Sequence, residues 1–357
     1  MWNETPLAAR LGMRWPIVQG PMSGGPSTPE LTAAVSEAGG LGCMGAGYLP
    51  PGEVRAAIRA IRRLTARPFA VNLFVPPSVD VSAEQMETAL QALEPWRAAM
   101  GLPPRPDVAP PYAPSFDEQV EVLLEERVPV FSWTFGIPGA EWMDRLRSAG
   151  VVTMGTATTV DEARALADAG VDAVVAQGSE AGGHRGTFLH PAADALIGTL
   201  ALVPQVVDAV RVPVVAAGGI MDGRGIAAVL ALGAQAAQLG SAFLTTAESG
   251  ANPLHKAALM ATPAHGTVVT RAFTGREARG IANRFAREMA PHQAQAAPYP
   301  AQHAFTRELR ARSAALGSTD AMSMWAGQGS PLARAGGAAE LVDRLAAETS
   351  EVFARLR

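Results

Sequence analysis

The chain has 357 residues, of which 48% are hydrophobic and 17% are charged, and its formal net charge is −4. This length accommodates one large α/β domain or two ordinary domains, each with a sizeable core. The weak negative charge gives no general attraction to nucleic acid or to an anionic membrane, so we expect neither as a partner. Cys43 is the single cysteine, which rules out an intramolecular disulfide and a cysteine-based zinc site.

The sequence shows no targeting signal. Segment 1–16 lacks the charged and then apolar regions of a secretory signal peptide. The apolar run 227–244 comes closest to the roughly 18 residues that a membrane span needs, but glycine and glutamine interrupt it. Together with the single cysteine, which fits a reducing compartment, these features predict a cytoplasmic protein.

Short β-rich runs alternate with amphipathic helical runs along the chain. The predicted strands lie at 15–21, 40–47, 68–75, 128–136, 151–157, 171–178, 212–219 and 236–243. Predicted helices follow them at 29–38, 53–65, 116–126, 140–149, 160–169, up to about 210, 225–232 and 338–356. Eight strands of the buried type, each followed by a helix, favour a TIM (β/α)8 barrel over an open doubly wound sheet.

Two segments exceed a minimal barrel. Residues 76–114 form an excursion between the third and fourth strands, with a predicted helix near 83–100 and a proline-rich tail. This excursion is either a lid or wall at the barrel mouth or a surface loop without a role. Residues 252–322 predict a second, smaller, mainly helical domain inserted after strand 8. The barrel itself would then comprise 1–251 and 323–357.

The loop after the sixth strand carries the first candidate site. It contains Gln177, Glu180, two adjacent glycines (Gly182 and Gly183) and His184. Chemistry in a parallel barrel takes place on the loops that leave the carboxyl ends of the strands. Glycine allows a backbone to approach a flat ring and to adopt positive φ. We therefore interpret His184 as a functional side chain beside a bound ligand, rather than as an exposed residue of a tight turn.

Two more glycine turns follow the seventh and eighth strands. Gly218 and Gly219 end one strand, and Gly240 and Ser241 follow the next. Free backbone N–H groups at this position often hold phosphate in barrels, assisted by a helix N-terminus. Such turns also occur without a ligand, but two of them on adjacent strands favour a phosphate site.

Other candidates lie on the same rim. The glycine-rich segment 19–31 follows the first strand and contains Met22. Asn72, at the end of the third strand, would direct an amide into the barrel mouth, where a heteroaromatic ring offers hydrogen-bond partners. Met22, Phe74 and Trp133 are candidates for apolar walls, although core packing is their default.

Two other site types are excluded. Segment 40–45 matches the letters of the dinucleotide-binding GxGxxG pattern, but a helix precedes it where that fingerprint requires a strand. The six histidines show no paired ligand spacing and the sequence has no acidic cluster, so we expect no metal site.

Taken together, these motifs resemble the nitronate monooxygenase family, formerly called 2-nitropropane dioxygenases, in its class I branch. The resemblance extends over nearly the whole chain. It rests on "QGPMSGGPSTPEL", "NLFVP", "QGSEAGGHRGTF", "AAGGI" and "QLGSAFL", which occur in the family's order.

The resemblance implies a flavoprotein in which a TIM barrel holds FMN noncovalently under a smaller domain. His184 matches the family's catalytic histidine, and Met22 would touch the isoalloxazine. The implied FMN positions, with the glycines adjoining them, are Asn72, Gln177, Gly182, Gly183, Gly218, Gly219, Gln238, Leu239, Gly240 and Ser241. The family's small domain carries substrate-contacting residues, for which Tyr299 and His303 are the candidates here.

The implied reaction is oxidative denitrification of alkyl nitronates by O2, giving a carbonyl compound and nitrite. Propionate 3-nitronate is the expected substrate and detoxification the expected role. A neutral His184 would accept the α-proton of a neutral nitroalkane. A protonated His184 would instead attract an anionic nitronate, and for a substrate that arrives as an anion we expect this second role.

Two alternatives stay open. Flavin-dependent enoyl-acyl-carrier-protein reductases and NADH:quinone reductases share the barrel and oxidise NAD(P)H. Gln177 and Arg185, which flank the "EAGGH" loop, favour the monooxygenase over the enoyl reductase. A flavin-binding protein without turnover is the other alternative, and the presence of His184 argues against it.

Overall fold

The computed structural model describes residues 1–75 and 81–356, so part of the excursion expected at 76–114 lies outside the described residues. The strands are β1 Ile17–Gln19, β2 Gly42–Gly45, β3 Phe69–Phe74, β4 Val130–Thr134, β5 Val152–Ala157, β6 Ala173–Gln177, β7 Gly183–His184, β8 Val214–Ala217, β9 Ala236–Leu239, β10 Thr267–Thr270 and β11 Ala278–Ile281. The α-helices are α1 Pro6–Arg10, α2 Pro29–Glu37, α3 Pro51–Leu64, α4 Ala83–Ala99, α5 Phe116–Glu125, α6 Ala140–Ser148, α7 Val160–Asp168, α8 Thr199–Ala209, α9 Gly223–Ala231, α10 Ser241–Leu244, α11 Pro253–Ala261, α12 Arg284–Glu288, α13 Ala301–Ala315 and α14 Ala338–Arg355.

Eight parallel strands form the barrel, in the order β1-β9-β8-β6-β5-β4-β3-β2. Strands β1 and β2 are at the two ends of this order, and backbone hydrogen bonds between β1 and Leu41, the residue before β2, close the barrel. Gln19 N–H donates to the Leu41 carbonyl at 2.9 Å, and Leu41 N–H donates to the Ile17 carbonyl at 2.9 Å. These strands are buried on both faces, which explains their continuous apolar sequences. The predicted TIM barrel is confirmed.

The chain returns to the barrel at its end. Helix α14 buries Leu341, Val342 and Leu345 and packs against α9 and α2, where the eighth helix of a barrel belongs. Buried apolar residues at helical spacing on one face explain this docking. No helix within 1–75 or 81–356 is long and apolar enough to cross a membrane.

The segment between β9 and α14 builds a second region over the barrel mouth. Strands β10 and β11 pair antiparallel, and β11 also pairs with β7 of the barrel loop. Phe273, Phe285 and Phe305 form its core together with Leu93 and Trp96 of α4, so the helix of the excursion shares a core with this second region. The domain boundaries given above stay a prediction, but this packing groups α4 with the second region rather than with the barrel.

Candidate active site

A cavity of about 700 Å³ opens at the carboxyl ends of the barrel strands, below the second region. Barrel geometry brings the strand-exit loops together there, although they are far apart in sequence. The sequence predicts fourteen residues for catalysis, cofactor binding and substrate contact, and twelve of them line the cavity: Met22, Asn72, Gln177, Gly182, Gly183, His184, Gly218, Gly219, Gln238, Gly240, Ser241 and His303.

The remaining two lie behind the cavity wall. Leu239 is fully buried in the barrel core, and its carbonyl accepts the N–H of Gly20 at 2.8 Å. Tyr299 is buried, and its ring packs edge-on against that of His184, with the centroids 5.8 Å apart. Of the three suggested apolar walls, Met22 and Phe74 line the cavity, whereas Trp133 is fully buried in the core.

His184 lies on a short strand rather than on a free loop. Strand β11 pairs with it, so that His184 stands opposite Ala278. The amide of Gln177 holds the same segment from the barrel side: its Nε2 donates to the His184 carbonyl at 3.1 Å, and its Oε1 accepts the Gly186 N–H at 2.9 Å. Gln177 therefore lies in the cavity wall with both ends of its side chain bonded to the histidine segment.

The adjacent glycines before His184 serve different purposes. A Cβ added to Gly182 would lie 2.6 Å from the backbone carbonyl carbon of Ala326, so this glycine permits a close approach of two chain segments. Gly183 has φ +78°, and a Cβ added there would meet no atom within 4 Å. Of these two glycines, Gly183 leaves open space at the cavity, whereas Gly182 lies close to the backbone of Ala326.

Two charged side chains, the partly buried Glu180 and the fully buried Arg185, fix the loops around this site. The Glu180 carboxylate accepts both the N–H and the hydroxyl of Thr199 at 2.9 Å, which ties the loop after β6 to the start of α8. The Arg185 guanidinium is fully buried and donates to the carbonyls of Gly178 at 2.7 Å and Ala195 at 3.1 Å. Arg185 therefore holds the loop and does not reach a substrate.

The imidazole of His184 is neutral near neutral pH. Burial, followed by the positive charges of Arg276 and Arg310, lowers its pKa from 6.5 to about 3. Burial and the charge of Arg310 also lower the pKa of His303 to about 2. These shifts argue against the expected cationic His184, because a desolvated imidazole beside two guanidinium groups resists protonation.

The positive charge of the site comes from arginines that the sequence analysis did not single out. Arg307 and Arg310 line the cavity from α13, and Arg310 donates to the His303 carbonyl at 2.8 Å. The Arg276 guanidinium lies over the ring of Phe135, 4.0 Å from its centroid. The basic composition of 307–312 was visible in the sequence, but its direction toward the barrel depends on how α13 packs.

Two uncharged residues of the site, Tyr48 and Thr274, were also not predicted from the sequence. Tyr48 lines the cavity and stacks on His303, and its place directly after the second strand was a signal that could have revealed it. The Thr274 hydroxyl lies 3.0 Å from Nε2 of His184. No sequence pattern indicated Thr274, because its approach to the histidine depends on the pairing of β7 with β11.

The cavity has the features of a cofactor cradle. A Cβ added to Gly240 would meet no atom within 4 Å, as at Gly183. Within the described part of the chain, the N–H groups of Gly219 and Gly240 donate to no other protein group, which suits an anion. Asn72 is buried and donates from Nδ2 to the Ser132 hydroxyl at 2.9 Å, while its Oδ1 has no partner among the described residues. A flat ring with hydrogen-bonding edges and a phosphate fits these groups.

Comparison with known proteins identifies the family. The family model described as nitronate monooxygenase matches residues 4–348. A protein of Staphylococcus haemolyticus named a probable nitronate monooxygenase is 45% identical over 359 residues, covering 100% of both chains. A solved nitroalkane oxidase from Streptomyces ansochromogenes is 47% identical, with a TM-score of 0.90 over 98% of this chain and 99% of that chain. FabK from Thermotoga maritima is 32% identical, with a TM-score of 0.79 over 99% and 98%. In agreement with its motifs, the chain belongs to the nitronate monooxygenase family of oxidoreductase enzymes.

Proposed function

We propose that this protein is an FMN-dependent nitronate monooxygenase that converts alkyl nitronates and O2 into a carbonyl compound and nitrite. The observation that carries the proposal is a single cavity that unites unpaired backbone N–H groups, a neutral His184 and guanidinium groups. Propionate 3-nitronate is the proposed substrate, and its detoxification is the proposed role.

The cofactor would occupy the glycine-lined part of the cavity. Gly218 and Gly219, with Gly240 and Ser241, would hold the phosphate through backbone N–H groups and the serine hydroxyl. Met22 and Asn72 would contact the ring system. When bound there, FMN would supply the redox chemistry that carries electrons from the nitronate to O2.

The arginines favour an anionic substrate. Propionate 3-nitronate carries a carboxylate and a nitronate, so it is a dianion near neutral pH. Arg310 and Arg307 line the cavity, and Arg276 lies behind Phe135 next to His184. Arg276 and Arg310 are partly buried, and such guanidinium groups attract an anion more strongly than an exposed one such as that of Arg307, because screening by solvent is weaker.

His184 would act as a proton acceptor. A neutral nitroalkane has an acidic α-proton, and the uncharged imidazole is in the protonation state that can accept it. The negative charge of the resulting nitronate would lie near the new imidazolium and the arginines, which offsets the cost of charging the buried ring. The similarity to a nitroalkane oxidase supports activity on neutral nitroalkanes as well as on nitronates.

The test is an aerobic assay without a nicotinamide. The purified protein is analysed for released FMN, and O2 uptake and nitrite are measured with propionate 3-nitronate while NADH and NADPH are absent. We expect FMN in the preparation and nitrite formed together with O2 uptake. Turnover only on addition of NAD(P)H, without nitrite, would instead assign the protein to the enoyl-acyl-carrier-protein or quinone reductases.

A variant tests the role of the histidine. His184→Gln keeps a side-chain N–H donor but removes the basic nitrogen. We expect nitroethane turnover to fall by about 100-fold or more, as for loss of a general base. Turnover of preformed ethyl nitronate should fall much less, because its proton is already gone. Equal losses on both substrates would contradict the proton-acceptor role.

A further inference from the structure

We propose that Thr274 is a positioning residue that fixes the tautomer of His184, so that Nε2 carries the proton and Nδ1 is left to accept one. This inference concerns the second region, whose β10–β11 connection contains Thr274. Its catalytic consequence rests on the proposed function, whereas the tautomer itself is a property of the resting protein.

The direction of the hydrogen bonds follows from the donor capacity of each group. The Thr274 hydroxyl lies 3.1 Å from the Arg276 carbonyl oxygen and 3.0 Å from Nε2 of His184. A carbonyl oxygen only accepts, and a hydroxyl has one hydrogen to donate. Since the hydroxyl donates to the carbonyl, Nε2 has to donate its own hydrogen to the hydroxyl oxygen.

The reverse arrangement leaves a polar group without a partner. If the hydroxyl donated to Nε2, the Arg276 carbonyl would lose its donor, and no other described residue donates to it. A fully buried carbonyl without a donor is unfavourable by about 1–3 kcal/mol, and this partly buried one is unfavourable by a smaller amount. Both hydrogen bonds therefore form only when Nε2 of His184 donates to the Thr274 hydroxyl and this hydroxyl donates to the Arg276 carbonyl.

Among the described residues, Thr274 makes the only hydrogen bond to the His184 ring. Aromatic rings stand around His184 with centroid separations of 5.5 Å for Phe135, 5.8 Å for Tyr299 and 5.6 Å for Trp325. His184 lines the cavity, and no described residue makes a hydrogen bond with its Nδ1. A neutral imidazole protonated at Nε2 has its lone pair on Nδ1. Nδ1 is thus the atom left for a substrate.

The step that this tautomer serves is simple. The α C–H bond of a neutral nitroalkane breaks and its proton moves to Nδ1. The electron pair of that bond forms the C=N bond of the nitronate, and the π pair of the N=O bond moves onto the oxygen. Nε2–H continues to donate to Thr274 throughout. Thr274 thereby holds the ring orientation in both protonation states without touching the substrate.

The test combines a spectroscopic readout with kinetics on three variants of the FMN-loaded protein. The 15N chemical shifts of the His184 ring report which nitrogen is protonated, with His184→Gln used to assign the signals. Thr274→Val removes the hydroxyl, Thr274→Ser restores it, and Thr270→Val is the matched control. Thr270 is a buried threonine of the same region whose hydroxyl accepts the Ala272 N–H at 3.1 Å.

We expect the wild type, Thr274→Ser and Thr270→Val to show one tautomer, protonated at Nε2, and Thr274→Val to show a mixture. The kcat/KM for nitroethane should fall about tenfold in Thr274→Val, with a change below about twofold for preformed ethyl nitronate. An unchanged tautomer in Thr274→Val, or the same change in Thr270→Val, would overturn the proposal. If the wild type turned over neither substrate, the proposed function would fail, and the 15N shifts alone would still decide the role of Thr274.

Discussion

The imidazole of His303 stacks on the ring of Tyr48, with centroids 4.2 Å apart and planes 13° from parallel. Tyr48 follows β2 of the barrel, whereas His303 lies on α13 of the second region. Both line the cavity. The stack therefore joins the barrel to the second region at the cavity wall.

Loss of this stack should weaken substrate binding. Stacked aromatic pairs contribute about 0.5–1.5 kcal/mol beyond their buried area, so Tyr48→Leu should raise the KM for propionate 3-nitronate by about 2- to 10-fold. Tyr48→Phe keeps the ring and should stay close to the wild type. Steady-state kinetics on both variants test this, and a Tyr48→Leu enzyme with an unchanged KM would show that the stack has no influence on the substrate.

The guanidinium group of Arg310 should matter more for a dianion than for a monoanion. Arg310→Met is expected to raise the KM for propionate 3-nitronate about tenfold, equivalent to about 1.4 kcal/mol, and to raise that for ethyl nitronate less. Arg312→Met is the matched control, because Arg312 is an exposed residue of the same helix. Similar KM changes in both variants, or for both substrates, would remove the assigned role of Arg310.

Cofactor binding should be sensitive to a single methyl group. Gly240→Ala places a Cβ in open space at the cavity, so we expect FMN to bind about tenfold more weakly, by about 1.4 kcal/mol. A Cβ at Gly52 also meets no atom within 4 Å, but that residue does not line the cavity, so Gly52→Ala is the control. Fluorescence titration of the stripped protein with FMN measures both affinities. Equal affinity of the two variants would place the cofactor elsewhere.

Acidification should destabilise the protein through its buried histidines. Burial lowers the pKa of His255 to about 4, against an ordinary value of 6.5. Between these values the unfolded chain binds more protons than the folded one, so stability falls as the pH drops through this window, by at most about 1.4 kcal/mol per pH unit for each histidine. His184 and His303 add to the loss with the same sign, because their folded pKa values are lowered as well.

His255 offers a clean test of this effect. Its Nε2 donates to the Trp325 carbonyl at 3.1 Å, and in His255→Gln the amide N–H replaces this donor without titrating. Urea unfolding of the FMN-loaded protein at about pH 7.5 and about pH 5 should show a smaller loss of unfolding free energy in the variant. An identical loss in both proteins would mean that His255 is not buried as a neutral ring.

The barrel and most of the cavity were predictable because they follow local rules. Each strand is a short apolar run bounded by turn residues, and barrel topology places every strand-exit loop at one end. His184, Asn72 and Gly240 could be placed by position alone. The protonation state of His184 could not, because it depends on Arg276 and Arg310, which approach through the packing of the second region.

Backbone pairing decided other features. The sequence predicts a loop around His184, whereas β11 pairs with this segment as a strand and thereby brings Thr274 to the ring. Residues nearly a hundred positions apart meet in this way, and periodicity within a short window carries no information about such contacts. Leu239 shows the opposite case: its place in a motif suggested a ligand contact, but strand alternation turns its side chain into the core.

The most direct test of the central claim is anaerobic mixing of the FMN-loaded protein with propionate 3-nitronate in a stopped-flow spectrometer, alongside the same experiment with NADH. Nitronate oxidation predicts that the nitronate bleaches the flavin absorbance rapidly, that O2 restores it with release of nitrite, and that NADH leaves it unchanged. Rapid bleaching by NADH, with no response to the nitronate, would contradict nitronate oxidation and would assign the protein to the flavin-dependent reductases.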